Sequence, residues 1–308
     1  MILDYNKIDP ELLPALDQFP KLDITRDNIV QLRAAMANQP VPPSSVQVDE
    51  ERAVVPSDDG GVDVYIYRKS KKPDQAALLW IHGGGYILGT AADDQMARII
   101  ADRFDCTVIS VDYRLAPEHP FPAAPNDCYA ALTWLFAESG SLNIDPARVV
   151  IGGASAGGGL TAGLALMNRD LANHPLKLQL LLYPMIDNLH ATESGQYENH
   201  PVWKQSTSFN AWEMYLNGEP GLDASPYAAA SRARDLSGLP PAYICVGSED
   251  LFRDEDIEYA RRLITAGIPT EFAVFPGVYH GGESFVVGAA VSKRMRTSFM
   301  NALGDALR

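Results

Sequence analysis

The stretch Val149-Val150-Ile151-Gly152-Gly153-Ala154-Ser155-Ala156-Gly157 reads as a short apolar strand that enters a glycine-flanked turn, with a helix following from Ala156 to Asn168. In a Gly-x-Ser-x-Gly turn between strand and helix, the glycines allow close backbone approach and the serine side chain is thrust into the open. Ser155 is therefore the candidate nucleophile. Upstream, His82-Gly83-Gly84-Gly85 follows another apolar strand and offers backbone hydrogen-bond donors. With 18 serines, 24 glycines and 6 histidines among 308 residues, a shuffled chain would hold roughly 0.1 copies of the serine motif and about 0.003 of His-Gly-Gly-Gly. The competing reading, two glycine turns that serve packing alone, must account for both motifs in the order an acyl-transfer site needs.

Outward from these motifs the chain alternates strand and helix. A strand at Ala76 to Ile81 precedes a helix near Asp94 to Phe104, a strand at Cys106 to Val111, a helix near Pro125 to Ala137, and strands at Val149 to Ile151 and Leu178 to Tyr183 around the helix already named. The alternation resumes with a strand at Tyr243 to Val246, a helix from Asp254 to Ala266, a strand at Thr270 to Phe275 and a last helix from Glu283 towards Leu307. Short apolar strands separated by helices imply a mainly parallel sheet covered on both faces, with both motifs at strand ends where such sheets place ligands. Ahead of it, Val46 to Val55 and Val62 to Tyr67 predict a hairpin around Ser57-Asp58-Asp59-Gly60-Gly61. Thr25 to Asn38 predicts a helix with Thr25 as N-cap, ended by Pro40, Pro42 and Pro43; Pro10, Pro14 and Pro20 punctuate the chain before it. The rhythm breaks between Ile186 and about Leu239, a polar, irregular stretch with helical content around Phe209 to Leu216, which reads as a cap over the carboxyl edge of the sheet. No internal repeat divides the chain, so one catalytic domain over residues 1–308 is expected.

A serine hydroxyl needs a base to take its proton, and a histidine base needs a carboxylate to fix its tautomer. In an α/β fold of this kind the order is serine, acid, histidine. Of His174, His190, His200 and His280, the first precedes Pro175 near a helix end and the next two fall in the presumed cap. His280 lies in Pro276-Gly277-Val278-Tyr279-His280-Gly281-Gly282, directly after a strand, and is the predicted base. For the acid, Asp250 comes soonest in the loop after Val246 and Glu249 is second; Asp254, Glu255 and Asp256 are expected to form a solvated helix start, where negative charge favours the helix dipole.

With these residues placed, the chain resembles the bacterial hormone-sensitive-lipase family of α/β-hydrolase carboxylesterases. The matching blocks are His82-Gly83-Gly84-Gly85-Tyr86, Asp112-Tyr113-Arg114-Leu115-Ala116-Pro117-Glu118 with Pro120-Phe121-Pro122-Ala123-Ala124, the serine motif with Gly158, Asp250 to Glu255, and His280-Gly281. The resemblance implies an α/β-hydrolase fold with a small helical cap built from about residues 1–45 and 186–239. It implies that Ser155 attacks an acyl carbon, that His280 serves as base and then acid, that Asp250 orients His280, and that the N–H groups of Gly83, Gly84 and Ala156 form an oxyanion hole. His82 is expected to brace that loop, and the Asp112 to Glu118 block to act structurally through Arg114. Tyr86, Trp203, Phe209, Trp212 and Tyr215 are candidate pocket walls, though aromatics at such spacing are as often cap core. Three positions depart from the family pattern: Ala154 where relatives often carry a polar residue, Leu251 where they often have proline, and Gly282 where a bulkier side chain is common, which would enlarge the pocket near the base.

Composition narrows the partners. The net charge of −14 repels phosphate backbones and anionic membranes, so no nucleic-acid or membrane partner is expected. No basic leader and no long apolar run is present, and Cys106, Cys128 and Cys245 lie in apolar stretches without a CxxC pair, so buried thiols and a cytoplasmic location are expected. No His-x-x-x-His or His-x-His cluster supports a metal hydrolase, and no cofactor is expected. The reaction expected is hydrolysis of small, short-chain acyl esters through an acyl-serine intermediate. The rivals are an amidase or peptidase with the same triad, and a non-catalytic small-molecule receptor, which in its known plant form lacks the triad histidine. A homodimer through Thr270 to Phe275 follows from the resemblance.

Overall fold

In a computed structural model of the chain, which describes residues 1–19, 23–38, 44–57 and 60–308, the predicted strands form. These are β1 (Asp49–Val55), β2 (Val62–Arg68), β3 (Gln75–Ile81), β4 (Thr107–Asp112), β5 (Ile144–Ala154), β6 (Leu178–Leu182), β7 (Ala242–Gly247) and β8 (Thr270–Phe275). They form one sheet in the order β1-β2-β4-β3-β5-β6-β7-β8. The β1–β2 hairpin and the β2–β4 pair are antiparallel, and every other pair is parallel. All residues of β3, β6 and β7 are buried, which the layering of helices on both faces requires, whereas β8 at the sheet edge is half-exposed along its length.

The helices are α1 (Ile29–Ala37), α2 (Gln95–Phe104), α3 (Ala123–Ala137), α4 (Ala156–Leu171), α5 (Gln205–Leu216), α6 (Arg253–Thr265), α7 (Gly282–Phe285) and α8 (Ala290–Ala306). Helix α4 is buried continuously from Ala156 to Asn168, as befits the element that carries Ser155 against the sheet. Asp94 caps α2 by accepting from the N–H groups of Met96 and Ala97, and its other oxygen accepts from the Trp80 indole at 2.6 Å.

Two helix boundaries differ from expectation. Thr25 does not cap α1: residues 25–28 form a turn in which Asn28 and Ile29 donate to the Thr25 carbonyl, and the helix starts at Ile29. The last helix is two helices. Gly288 weakens the stretch between α7 and α8, and the first amide of α8, Ala290, donates to the Glu11 carboxylate from the other end of the chain at 3.2 Å. Pro20, Pro40, Pro42 and Pro43, and Asp58-Asp59 of the expected turn, lie outside the described residues.

The N-terminal segment and the 186–239 segment are hydrogen-bonded to each other. The Met1 amino group donates to the Gln196 carbonyl at 2.7 Å, Leu3 exchanges two hydrogen bonds with the Asn199 side chain, and the Asn210 amide donates to the Ile24 carbonyl. The three cysteines are free and buried, and burial pushes the Cys106 thiol up to about 12. Among the described residues no helix is long and apolar enough to cross a membrane.

The acidic run at the start of α6 is not a solvated helix end. Asp254 is half-buried and accepts the Ser194 amide, but Glu255 and Asp256 are buried, and no described residue hydrogen-bonds either carboxyl. The 186–239 segment passes over this turn, with Ser194 Oγ donating to the Leu251 carbonyl, and so removes it from water. Desolvation raises both carboxyls well above their ordinary range. Both are therefore protonated in the fold and ionised in the unfolded chain above about pH 4. Folding takes up protons under those conditions, so stability falls as pH rises from there until the buried groups ionise. Glu255→Gln is expected to flatten that slope by up to about 1.4 kcal/mol per pH unit and to raise Tm near neutral pH. Thermal melts from mildly acid to mildly alkaline pH check this, and parallel curves for the two proteins would refute it.

Candidate active site

Ser155 sits between β5 and α4 with φ 56° and ψ −120°, a backbone that L residues rarely adopt. It is held there from three sides. Its N–H donates to the Leu182 carbonyl, and its own carbonyl accepts from Gly159 and Met185, all at 2.9 Å. The flanking glycines are steric necessities, since a Cβ on Gly157 would lie 2.0 Å from the Ile81 carbonyl oxygen and one on Gly153 would lie 2.4 Å from the Gly157 carbonyl carbon. With the backbone so fixed, the side chain is the part left to reach outward, and Ser155 Oγ lies 2.9 Å from His280 Nε2.

His280 is carried by the loop that leaves β8. Its Nδ1 lies 2.9 and 3.1 Å from the two oxygens of Asp250, a fully buried side chain whose Oδ1 also accepts the Phe252 amide at 2.9 Å. An ionised carboxylate only accepts, so the neutral imidazole carries its proton on Nδ1 and leaves Nε2 able to take one from Ser155. Tyr183 and Phe252 meet the imidazole edge-on, each at 5.0 Å, and confine it. Glu249, the second candidate acid, turns instead to Ser248 Oγ at 2.8 Å.

The His82 to Gly85 loop passes beside the serine: a Cβ on Gly83 would meet Ser155 Cβ at 3.4 Å. Gly84 has φ +119°, and a Cβ there would lie 2.1 Å from the Leu88 carbonyl oxygen, so the turn that folds Ile87 and Leu88 back onto the Gly84 carbonyl admits only glycine. Ala156 is the first residue of α4, where amides lack partners within the helix. His82 is buried and stacked on Tyr113, with ring centroids 4.3 Å apart, and Nδ1 lies 2.7 Å from the Gly83 carbonyl. Since that carbonyl can only accept, Nδ1 donates; burial lowers the affinity of this ring for a second proton. Arg114 clamps the buried Asp127 with both its guanidinium and its backbone N–H.

The expected aromatic pocket walls divide. Tyr86 stacks on Tyr215 with centroids 4.1 Å apart, packs on Trp212 at 5.0 Å and donates its hydroxyl to the Met185 carbonyl. All three are fully buried, so they form the core that seats α5 on the glycine loop. Phe209 points outward and is 42% exposed. Trp203 lies against the glycine loop, its ring so close that a Cβ on Gly85 would lie 2.3 Å from it. Gly282 opens no space, because Leu12, Tyr279 and Val278 all stand 3.4 Å from where its Cβ would be. Phe19 and Phe285, unremarked in the sequence, meet edge-on near the Gly281 turn, and Phe19 lines a cavity of about 470 Å³ with Leu16, His200 and Val202.

Arg33 is also missed by local reading. From α1 it donates to the Ile87 carbonyl at 2.7 Å, to the Ala116 carbonyl, and to Glu118 at 2.7 Å. It thus ties the N-terminal segment to the far end of the glycine loop. Arg33→Ala is expected to lower kcat several-fold with a small loss of Tm, because the loop's amides lose a fixed position; steady-state kinetics beside a thermal melt would show it. Unchanged kcat would mean that the loop is held without it.

Residues 78–283 match the family described as the alpha/beta hydrolase fold. The chain belongs to the α/β-hydrolase family. Within that family it is similar to the carboxylesterase NlhH of Mycobacterium tuberculosis, 35% identical over 91% of this chain and 90% of that protein. It is similar to the arylesterase of Saccharolobus solfataricus, 31% identical over 96% and 97% of the two chains. Among solved structures it superposes on a bacterial heroin esterase with a TM-score of 0.91 and 38% identity, covering 99% of each. The resemblance to the bacterial hormone-sensitive-lipase esterases therefore holds, and this α/β hydrolase is a serine esterase by class. Among its described residues, no group of three His, Cys, Asp or Glu side chains is placed to hold a metal ion.

Proposed function

We propose that this α/β hydrolase cleaves small, short-chain carboxylic esters through an acyl-serine intermediate, with Ser155 as nucleophile, His280 as base and Asp250 as its orienting carboxylate. The observation that carries the reading is the unbroken chain from Ser155 Oγ through His280 to Asp250, with both links at 2.9 Å. Oγ attacks the acyl carbon while its proton passes to Nε2. The N–H groups of Gly83, Gly84 and Ala156 take the charge on the carbonyl oxygen, each such donor being worth about 10²–10³ in rate. The tetrahedral adduct expels the alcohol, which receives the proton from Nε2, and water then repeats the sequence on the acyl-serine to release the acid.

In this reading the chain is one catalytic domain, with residues 1–45 and 186–239 acting together as its cap; their mutual hydrogen bonds support that division. The buried thiols suit a reducing cytoplasm, and the open edge of β8 suits a homodimer, which sedimentation across a concentration series would detect. The names arylesterase and heroin esterase borne by relatives make aryl esters apt substrates. Hydrolysis of nitrophenyl acetate, butyrate, octanoate and laurate is expected to fall with chain length, and a matching anilide to resist. A rate that rises towards laurate would refute the short-chain reading, and anilide turnover would favour the amidase.

A further inference from the structure

Close to the base lies a second carboxyl that the triad does not use. Glu283 follows His280 in the short helix α7 and is fully buried; its Oε1 accepts from the Tyr183 hydroxyl at 2.8 Å, and its Oε2 has no hydrogen-bond partner among the described residues. Burial pushes this carboxyl up from its ordinary range, and charged or neutral it offers an oxygen that accepts. Tyr183 is itself unusually placed. It directly follows β6 with φ 37°, a left-handed backbone that strains any residue with a Cβ, and its N–H donates to the Cys245 carbonyl of β7 at 2.7 Å. Residues on either side of it hold the nucleophile, the Leu182 carbonyl accepting the Ser155 N–H and the Met185 N–H donating to the Ser155 carbonyl.

Tyr183 therefore joins two parts of the site. Its backbone belongs to the segment that fixes the Ser155 turn, its ring meets the His280 imidazole edge-on at 5.0 Å, and its hydroxyl ends on the helix that follows His280. The hydrogen bond between Ser155 Oγ and His280 Nε2 joins the same two parts, but it lasts for only half of the cycle. Once Oγ carries the acyl group it has no proton to donate. Of the imidazole's side-chain hydrogen bonds only that to Asp250 then remains, while water must attack the acyl carbon and pass its proton to Nε2. We propose that Tyr183 and Glu283 are positioning residues for deacylation: their hydrogen bond ties the nucleophile segment to the base and keeps His280 in place while the bond to Ser155 is absent. The proposal rests on the reading of Ser155, His280 and Asp250 as the triad.

Nitrophenyl dimethylcarbamate separates the two halves of the cycle. Ser155 Oγ takes the carbamoyl group as nitrophenolate leaves, and water later frees Oγ and releases the carbamic acid. Progressive inactivation measures the first step, and return of activity after excess reagent is removed measures the second. Tyr183→Phe keeps the ring and removes the hydroxyl, Glu283→Leu removes the acceptor, and Glu283→Gln keeps an oxygen that accepts. In Tyr183→Phe and Glu283→Leu the return of activity is expected to be about tenfold slower, with inactivation within about threefold of the parent, since a small misplacement of a catalytic group costs that much. The double variant is expected to be no slower than the slower single one, as befits groups that act through one bond. Glu283→Gln is expected to regain most of what Glu283→Leu loses. Parental return of activity in Tyr183→Phe would overturn the proposal. So would inactivation and return that slow in equal proportion, with no gain in Glu283→Gln, which is the pattern of a general loss of structure. If Glu283→Leu does not fold, Tyr183→Phe decides by itself. Ser155→Ala assayed on nitrophenyl butyrate tells two failures apart: turnover surviving there overturns the triad reading, whereas its loss beside an unimpaired Tyr183→Phe overturns only the tie.

Discussion

Ser155→Ala is expected to lower kcat on nitrophenyl butyrate by about 10⁴–10⁶, with a residual rate owed to binding and the oxyanion donors alone. The loss is that large because Oγ is both the attacking atom and the source of the proton that His280 takes up; removing it cancels the covalent route. The fold has little reason to respond. Ser155 Oγ is hydrogen-bonded to His280, and the three backbone hydrogen bonds that hold the turn involve its N–H and carbonyl. Tm should therefore move little in the alanine variant. Ser155→Gly should be equally inactive yet more stable than Ser155→Ala, because at φ 56° any Cβ is strained and glycine is not. Rates measured beside melting curves of both variants test the pair. An alanine variant that retains a tenth of parental activity would place the nucleophile elsewhere, and a glycine variant that melts lower would mean that the turn carries no strain.

Much of this architecture is legible in the sequence because it rests on local chemistry. The inner strands β3, β6 and β7 announce themselves through continuous apolar runs, since they are buried on both faces, and the serine turn through glycines that no other residue can replace at contacts of 2.0 and 2.4 Å. Position relative to strands is enough to separate His280 from His174, His190 and His200. What escapes reading depends on segments far apart in the chain. Glu11 caps α8 from the opposite end, Arg33 reaches a carbonyl 54 residues away, and His200 touches a loop 80 residues on. None of these has a periodicity or a motif. The acidic run at Asp254 to Asp256 misleads for the same reason: three carboxylates at a helix start suit the dipole and solvent, and only the overlying Ser194 segment shows that two of them are dry. The pocket aromatics mislead more simply, because a ring spacing that suits a wall suits a core equally well, and Tyr86, Trp212 and Tyr215 stack on one another.

Between the two acids that sequence offers for the triad, charge removal gives a large and opposite contrast. Asp250→Asn is expected to lower kcat by about 10⁴, and Glu249→Gln by less than about threefold. Asparagine preserves the shape of the side chain, and its carbonyl oxygen can still accept from the Phe252 amide, so the loop keeps its turn. Its amide N–H₂, however, can now face Nδ1 of His280 as a donor. The imidazole then holds its proton on Nε2, towards Ser155 Oγ, and loses the lone pair that should take the serine's proton. Glu249→Gln leaves that tautomer alone, since its carboxylate meets Ser248 Oγ, a hydroxyl that an amide oxygen also satisfies. The contrast has a stereochemical control in Asp250→Glu, which restores the charge one methylene further out and should fall between the two, because a carboxylate that is mispositioned still favours the right tautomer. If Glu249→Gln proves the more damaging change, the acid loop must shift in the working enzyme.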